Sequence, residues 1–228
     1  MYLLYAWCII DAMNNYTPHG TLVIARHGES EWNALGKWTG TTDVDLTEKG
    51  MHEAQMMGEA IRDIPLHYAY HSEQRRTLQT LEKILHASNQ GAVTKERRGE
   101  LNERDYGDYT GMNKWEVQER VGDEVFNGIR RAWDYPVPGG ETLKDVYGRV
   151  VPFYEKEVLP KLVAGDNIIL VAHGNSIRSL IKHLEDISDE GVSEVEMPFG
   201  EMLIYHIDET GRARGKQIRL IDTTPPKA

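Results

Sequence analysis

The sequence predicts an α/β fold, a single three-layer domain whose mostly parallel central sheet carries helices on both faces. Three observations predict it. Thr21-Leu22-Val23-Ile24-Ala25 is an apolar run that stops abruptly at Arg26-His27-Gly28, the pattern of a buried parallel strand ending at a polar turn. Ile168-Ile169-Leu170-Val171-Ala172 repeats the design and stops at His173-Gly174. Around them, strand-like runs alternate with segments of helical periodicity, without internal repeat or low-complexity linker. Two strands ending alike place two imidazoles at the carboxyl edge of one sheet, where open α/β sheets bind ligands.

The chain has 228 residues, enough for one sizeable core, and 40% of them are hydrophobic. Its formal net charge of −10, from 36 acidic and 26 basic residues, argues against nucleic acid or an anionic membrane as partner. The single cysteine, Cys8, excludes a disulfide framework and fits a reducing, cytoplasmic setting. Residues 1–20 read as an N-terminal arm or extension, 21–222 as the domain and 223–228 as a tail. The apolar stretch Met1–Met13 lacks a basic start and is too short to span a bilayer. It reads as an added edge strand or packing arm, or as residues upstream of a natural start at Met13.

In chain order, Gly36–Thr42 is a loop with two glycines whose N–H groups suit an anion. Thr47 caps a helix to about Arg62, with Ala54, Met57 and Ile61 facing the core and Glu48, Lys49, Glu53 and Glu59 on a solvated face. Leu66–His71 reads as a strand. Ser72 then caps a helix with Leu78, Leu81 and Leu85 as its buried stripe. Arg75 and Arg76 in its first turn oppose the helix dipole, unless an anion docks there. Glu100–Gly111 is polar and aperiodic, an irregular functional loop. A helical stretch then carries Lys114, Trp115, Val117, Val121, Val125, Ile129, Arg130 and Arg131. The connector Pro136–Thr142 leads to a helix ending near Leu162. A further helix, with Ile177, Leu180, Ile181 and Leu184, follows the His173 strand. Met202–Ile207 and Gln217–Ile221 close the domain as a strand pair.

Walker, dinucleotide-binding and His-Glu-x-x-His patterns are absent from the sequence. His19, His52, His67, His71, His86, His183 and His206 read as surface or packing histidines. There remain two strand-end histidines, several arginines and a candidate carboxylic acid. Neutral imidazole is a competent nucleophile toward phosphorus, arginine clamps phosphate oxygens, and a carboxylic acid can move the alcohol's proton.

Arg26-His27-Gly28-Glu29 resembles the signature of the histidine phosphatase superfamily. The longer pattern is similar to the cofactor-dependent phosphoglycerate mutases. It comprises Arg26-His27-Gly28-Glu29-Ser30-Glu31-Trp32-Asn33, Asp43-Val44-Asp45-Leu46-Thr47, Leu101-Asn102-Glu103-Arg104, Tyr106-Gly107, Gly111, Asn113-Lys114, Arg130-Arg131 and His173-Gly174-Asn175-Ser176. That resemblance, running from about Leu22 to Ile207, implies a phosphoglycerate mutase-like fold. It also implies interconversion of 3-phosphoglycerate and 2-phosphoglycerate through a phosphohistidine, primed by 2,3-bisphosphoglycerate and without metal. It makes His27 the phosphorylated residue, with Arg26, Arg76 and His173 around the transferring group and Glu103 as proton donor and acceptor. Asn33 and the Gly174 backbone would assist at the transferring group. Tyr106, Lys114, Arg130 and Arg131 would hold the substrate's carboxylate and its non-reacting phosphate, with Ser30, Thr39, Gly40 and Asn175 as smaller contacts. The partners implied are small phosphoglycerates, and the chain is expected to be a monomer or homo-dimer.

The sequence departs from that pattern at three places. Asp105 stands where many members have His, the chain between Arg131 and Glu141 is short, and the sequence after Ile221 is brief. Pro138-Gly139-Gly140-Glu141-Thr142 resembles a motif of the phosphatase branch, so a histidine phosphatase acting on a small phosphorylated metabolite is the alternative. It would not need Lys114, Arg130 and Arg131 together. A catalytically silent phosphate- or phosphopeptide-binding module on the same fold is a third reading, opposed by intact His27, His173 and Glu103.

Overall fold

The structure, a computed structural model, describes residues 19–222. The expectations for the N-terminal arm, for the choice between Met1 and Met13 and for the 223–228 tail therefore lie outside the described residues.

Strands β1 (Gly20–Arg26), β2 (Tyr68–His71), β3 (Thr94–Arg97), β4 (Ile168–Ala172), β5 (Glu201–Ile207) and β6 (Ala213–Leu220) form one sheet in the order β3-β2-β4-β1-β5-β6. The first four in that order run parallel; β5 and β6 are antiparallel additions. Helices are α1 (Glu31–Ala34), α2 (Glu48–Ala60), α3 (Arg75–Ala87), α4 (Lys114–Val121), α5 (Asp123–Arg131), α6 (Leu143–Phe153), α7 (Leu159–Val163) and α8 (Gly174–Leu184).

Strand periodicity divides the core into two layers. Val23, Ala25, Ala69, Ile169 and Val171 pack on Ala54, Met57 and Ile61 of α2 and Leu81, Ile84 and Leu85 of α3. Leu22, Ile24, Tyr70, Leu170 and Tyr205 face the other way, onto Val146, Val150 and Phe153 of α6 and Ile177, Leu180 and Ile181 of α8. Each fully buried aliphatic side chain contributes about 1.5–3 kcal/mol. The three-layer α/β domain is thus as the sequence predicts. A smaller cluster, Trp38, Val117, Phe126, Ile129 and Val137, anchors α4 and α5.

Strand β4 is inserted between β2 and β1, with Arg26 opposite Ala172, and the His27 N–H extends the pairing to the Ala172 carbonyl at 3.1 Å. The helices that follow β1 and β4 pack on opposite faces. Their carboxyl ends therefore form the switch point at which such sheets open a crevice. The turn after β1 is tight because α2 lies against it. A Cβ on Gly28 would sit 2.3 Å from the Gly50 carbonyl oxygen, so neither residue can carry a side chain there.

Several local expectations are corrected. Glu53 is fully buried and not part of a solvated face; its carboxylate accepts the Glu29 N–H at 2.8 Å and braces the turn after His27. Ser72 does not cap α3. That cap is Gln74, which makes no side-chain capping bond because its amide is used by the Gly40 carbonyl and the Glu103 N–H, while the Ser72 hydroxyl bonds the His173 ring. The stripe of α3 is Leu81, Ile84 and Leu85, with Leu78 only partly buried. The helical stretch to Arg131 breaks at Gly122, whose φ of 80° ends α4 and starts α5. Tyr154–Val158 is a π-helical turn between α6 and α7, next to Pro152 and Pro160, where helical bonding is interrupted. Edge strand β3 lies where no strand was expected. Among the described residues no helix is long and apolar enough to cross a membrane.

Candidate active site

The two strand-end histidines meet. Their ring centroids are 4.9 Å apart at 60°, and both side chains are buried. His27 Nδ1 donates to its neighbour's carbonyl, Gly28, at 2.7 Å, which leaves Nε2 as the nitrogen with the lone pair. Arg76 Nε approaches that nitrogen at 3.4 Å, while its two terminal nitrogens donate to the carbonyls of Gly40 and Thr42 at 3.0 Å. His173 stands at the N-cap of α8 and bonds the Ser72 hydroxyl through Nε2 at 2.8 Å. Burial, then Arg76 and Arg26, hold the His27 pKa well below the ordinary imidazole value. Burial and Arg76 do the same to His173. Both rings are neutral at physiological pH.

Arg26 reaches past the histidines, donating to the Met197 carbonyl at 2.8 Å and lying 3.9 Å from the centre of the Phe199 ring. Beside it opens a cleft of about 320 Å³ whose lining includes Arg26, Glu103, Tyr106, Lys114, Arg130 and Arg131. Gly174 and Asn175, from the first turn of α8, complete the wall near Glu103. Glu103 Oε1 accepts three N–H groups, from Arg104 at 2.8 Å and from Asn175 at 3.3 Å (backbone) and 3.0 Å (side chain). Oε2 is the oxygen that faces Gly174, 3.8 Å from where a Cβ would stand there. Asn175 also donates to the Tyr106 hydroxyl at 3.0 Å. Lys114, at the first position of α4, has its pKa lowered to about 8 by burial and then by Arg130 and Arg26. Arg130 is depressed too, by burial and by Arg131.

The expected residues thus fall into two groups. His27, Arg76 and His173 form the inner cluster, with Arg26 between it and the outer cleft of Glu103, Tyr106, Lys114, Arg130, Arg131, Gly174 and Asn175. The other four sit beside them in different ways. Ser30 and Asn33 bond each other in the capping box of α1, at 2.7 Å between side chains. Gly40 supplies its carbonyl to Arg76, and Thr39 Oγ1 is buried without a hydrogen-bond partner among the described residues. Arg75 is not in the site; it pairs with Asp43 and Asp45. Asp105 turns the chain, accepting the Gly107 N–H at 2.8 Å. Glu141 of the connector accepts the Asp105 N–H at 2.9 Å and pairs with Arg149 at 3.0 Å, pinning the Glu103 loop.

Sequence reasoning missed Ser72, Gln74 and Arg178. Gln74 accepts the Glu103 N–H at 3.0 Å and donates to the Gly40 carbonyl at 3.1 Å, tying two walls together. Arg178 is buried and uses all five of its N–H groups. They go to the carbonyls of Arg130, Arg131, Val192 and Val195 and to Asn175 Oδ1, at 2.7–3.2 Å. Its signal in the sequence is an arginine on the apolar side of a helix that starts at His173-Gly174.

The fold and sequence define the class. The model of the histidine phosphatase superfamily (branch 1) matches residues 22–217, and the chain belongs to that superfamily. Within it, the 2,3-bisphosphoglycerate-dependent phosphoglycerate mutase 2 of Lactiplantibacillus plantarum is 39% identical over 223 residues, covering 86% of this chain and 97% of its own. The 2,3-bisphosphoglycerate-dependent phosphoglycerate mutase of Parvibaculum lavamentivorans is 41% identical over 199 residues, covering 86% and 95%. Among solved structures, YhfR of Bacillus stearothermophilus matches with a TM-score of 0.75 at 24% identity, over 90% of this chain and 98% of that one, a likeness of fold.

Proposed function

We propose that the chain interconverts 3-phosphoglycerate and 2-phosphoglycerate by way of a phosphohistidine on His27, in the cytoplasm. The observation that carries this reading is the cleft's division of charge. A neutral nucleophile flanked by arginines lies in the inner cluster behind Arg26, while Lys114, Arg130 and Arg131 line the outer cleft together with Glu103. That division of charge suits a small substrate with two anionic ends. The names of the curated relatives support the same reading.

His27 Nε2 presents its lone pair to phosphorus, and Arg26 and Arg76 offset the negative charge that develops on the transferring group. The Nδ1 bond to Gly28 keeps the ring from rotating and assigns the nucleophilic nitrogen. Glu103 moves the proton of the reacting hydroxyl through Oε2, because Oε1 is saturated by three donors. Tyr106 and the cationic trio hold the end that does not react. The residues also fit 2,3-bisphosphoglycerate. Arg26 Nε and His173 Nδ1 are buried without a partner among the described residues and suit additional phosphoryl oxygens. Arg26, Arg76 and His173 would hold one of its phosphates and Lys114, Arg130 and Arg131 the other. When bound it supplies the phosphoryl group that primes His27.

The test follows 3-phosphoglycerate conversion and phosphate release together, with and without 2,3-bisphosphoglycerate and with chelator throughout. Isomerisation that depends on the bisphosphate, with little phosphate released, is the expected result. Phosphate release without isomerisation would assign the chain to the phosphatase reading.

A further inference from the structure

Glu196 is the second carboxylate lining the cleft, besides Glu103, and it is ion-paired with Arg131. The Glu196 side chain is 63% exposed and that of Arg131 29%. The pair is built in by the backbone. Arg178 bonds the Arg130 and Arg131 carbonyls at 3.2 and 2.7 Å on one side, and the Val192 and Val195 carbonyls at 2.7 and 3.0 Å on the other. One buried guanidinium therefore bolts the end of α5 to the segment leading into Glu196. The two side chains can part only by rotating about their own bonds. Room for that rotation exists. A second cavity, of about 570 Å³ and lined also by Asn127 and Gly128, lies beyond the pair and shares Arg131 and Glu196 with the cleft. The ion pair is the partition between the two spaces.

We propose that Glu196 is a displaceable counter-ion of Arg131. It occupies Arg131 in the free protein, and the second anionic group of an arriving ligand replaces it, the carboxylate swinging toward the outer cavity. Displacement costs little, because Glu196 is already largely hydrated and an exposed pair is weak. What it controls is selectivity. A ligand must bring a group that binds Arg131 better than a tethered carboxylate does, so ligands with one anionic end gain less from the site. The proposal rests on the two-ended substrate of the preceding reading and names a residue that tunes its affinity.

The test is calorimetric titration of the full chain with two probes, 3-phosphoglycerate and inorganic pyrophosphate, in chelator. Glu196→Gln keeps size and polarity and removes the charge. Both probes should bind Glu196→Gln ~2–5-fold more tightly than the unaltered protein, the equivalent of a weak exposed ion pair. In an Arg131→Gln background the same change should give no gain, since the counter-ion has lost its partner. Unchanged or weaker binding to Glu196→Gln would overturn the proposal. Equal tightening in both backgrounds would also overturn it, showing a general field effect. Pyrophosphate behaving as expected while 3-phosphoglycerate fails to bind even the unaltered protein would support the counter-ion and overturn the mutase reading.

Discussion

The imidazoles of His27 and His173 lie 4.9 Å apart, yet each is anchored through a different nitrogen, Nδ1 to the Gly28 carbonyl and Nε2 to the Ser72 hydroxyl. The asymmetry separates their chemistry. His27 offers Nε2 as a lone pair, whereas His173 has Nδ1 left without a partner among the described residues. Neither ring carries charge, because deep burial and then two nearby arginines oppose it.

That neutrality makes the fold acid-labile. Both histidines have folded pKa values below the unfolded value of about 6.5, so below that pH the unfolded chain binds more protons than the folded one. Stability is fully present above 6.5 and falls as the pH drops below it, by up to ~1.4 kcal/mol per pH unit for each such histidine. His71 and His206, also lowered by burial, add in the same direction. Urea denaturation between pH 7.5 and 5 checks this. A His173→Asn variant should show a shallower slope, and equal slopes would contradict the assignment.

Glu103→Gln should lower turnover by ~10²–10⁴-fold with little change in substrate affinity. The amide oxygen can take the Oε1 place and keep the bonds from Arg104 and Asn175, so the fold is expected to hold. Only the proton at the second atom is lost. Near-normal turnover would refute the role of Glu103.

The histidine pair was legible in the sequence because everything that makes it is local: an apolar run, then His, then the Gly needed where Gly50 presses on the turn. The cleft's cations were legible through resemblance alone, since nothing in the spacing of Lys114, Arg130 and Arg131 shows that Trp38 and Phe126 fold α4 and α5 beside them. What escaped depends on distant partners. Ser72 has the sequence context of a helix cap, but its hydroxyl serves His173, far along the chain. Glu53 has the spacing of a surface residue on α2, but the turn after β1 closes over it. Thr94–Arg97 has no apolar signal at all, since an exposed edge strand needs only its backbone bonds to β2.

Lys114 should set the alkaline limit of the reaction. Its ammonium loses its proton at about 8 in the free protein, so above that pH the cleft loses one positive charge. Accordingly kcat/KM should fall with a pKa near 8, while kcat should decline at higher pH, because bound anion raises the pKa. Lys114→Arg keeps its charge and should move the limit upward. A pH profile identical to that of the unaltered enzyme would place the titrating group elsewhere.

Arg178→Lys should weaken substrate binding although Arg178 donates its hydrogen bonds to protein groups on both sides of the cleft. An ammonium has three donors where the guanidinium has five, so two of the acceptors at Asn175, α5 and the 192–195 segment lose their bond. Each buried carbonyl left unpaired costs ~1–3 kcal/mol, and the variant should melt at lower temperature. Measured well below that temperature, KM should rise by up to ~10²-fold, because Arg130 and Arg131 are no longer held at fixed positions. The rate at saturation should fall far less, since His27 and Arg76 belong to the inner cluster, anchored by Gly28, Gly40 and Thr42. A lowered melting temperature with KM unchanged would mean that Arg178 serves only the fold, and that the ends of α5 and the Glu196 segment keep their places without it.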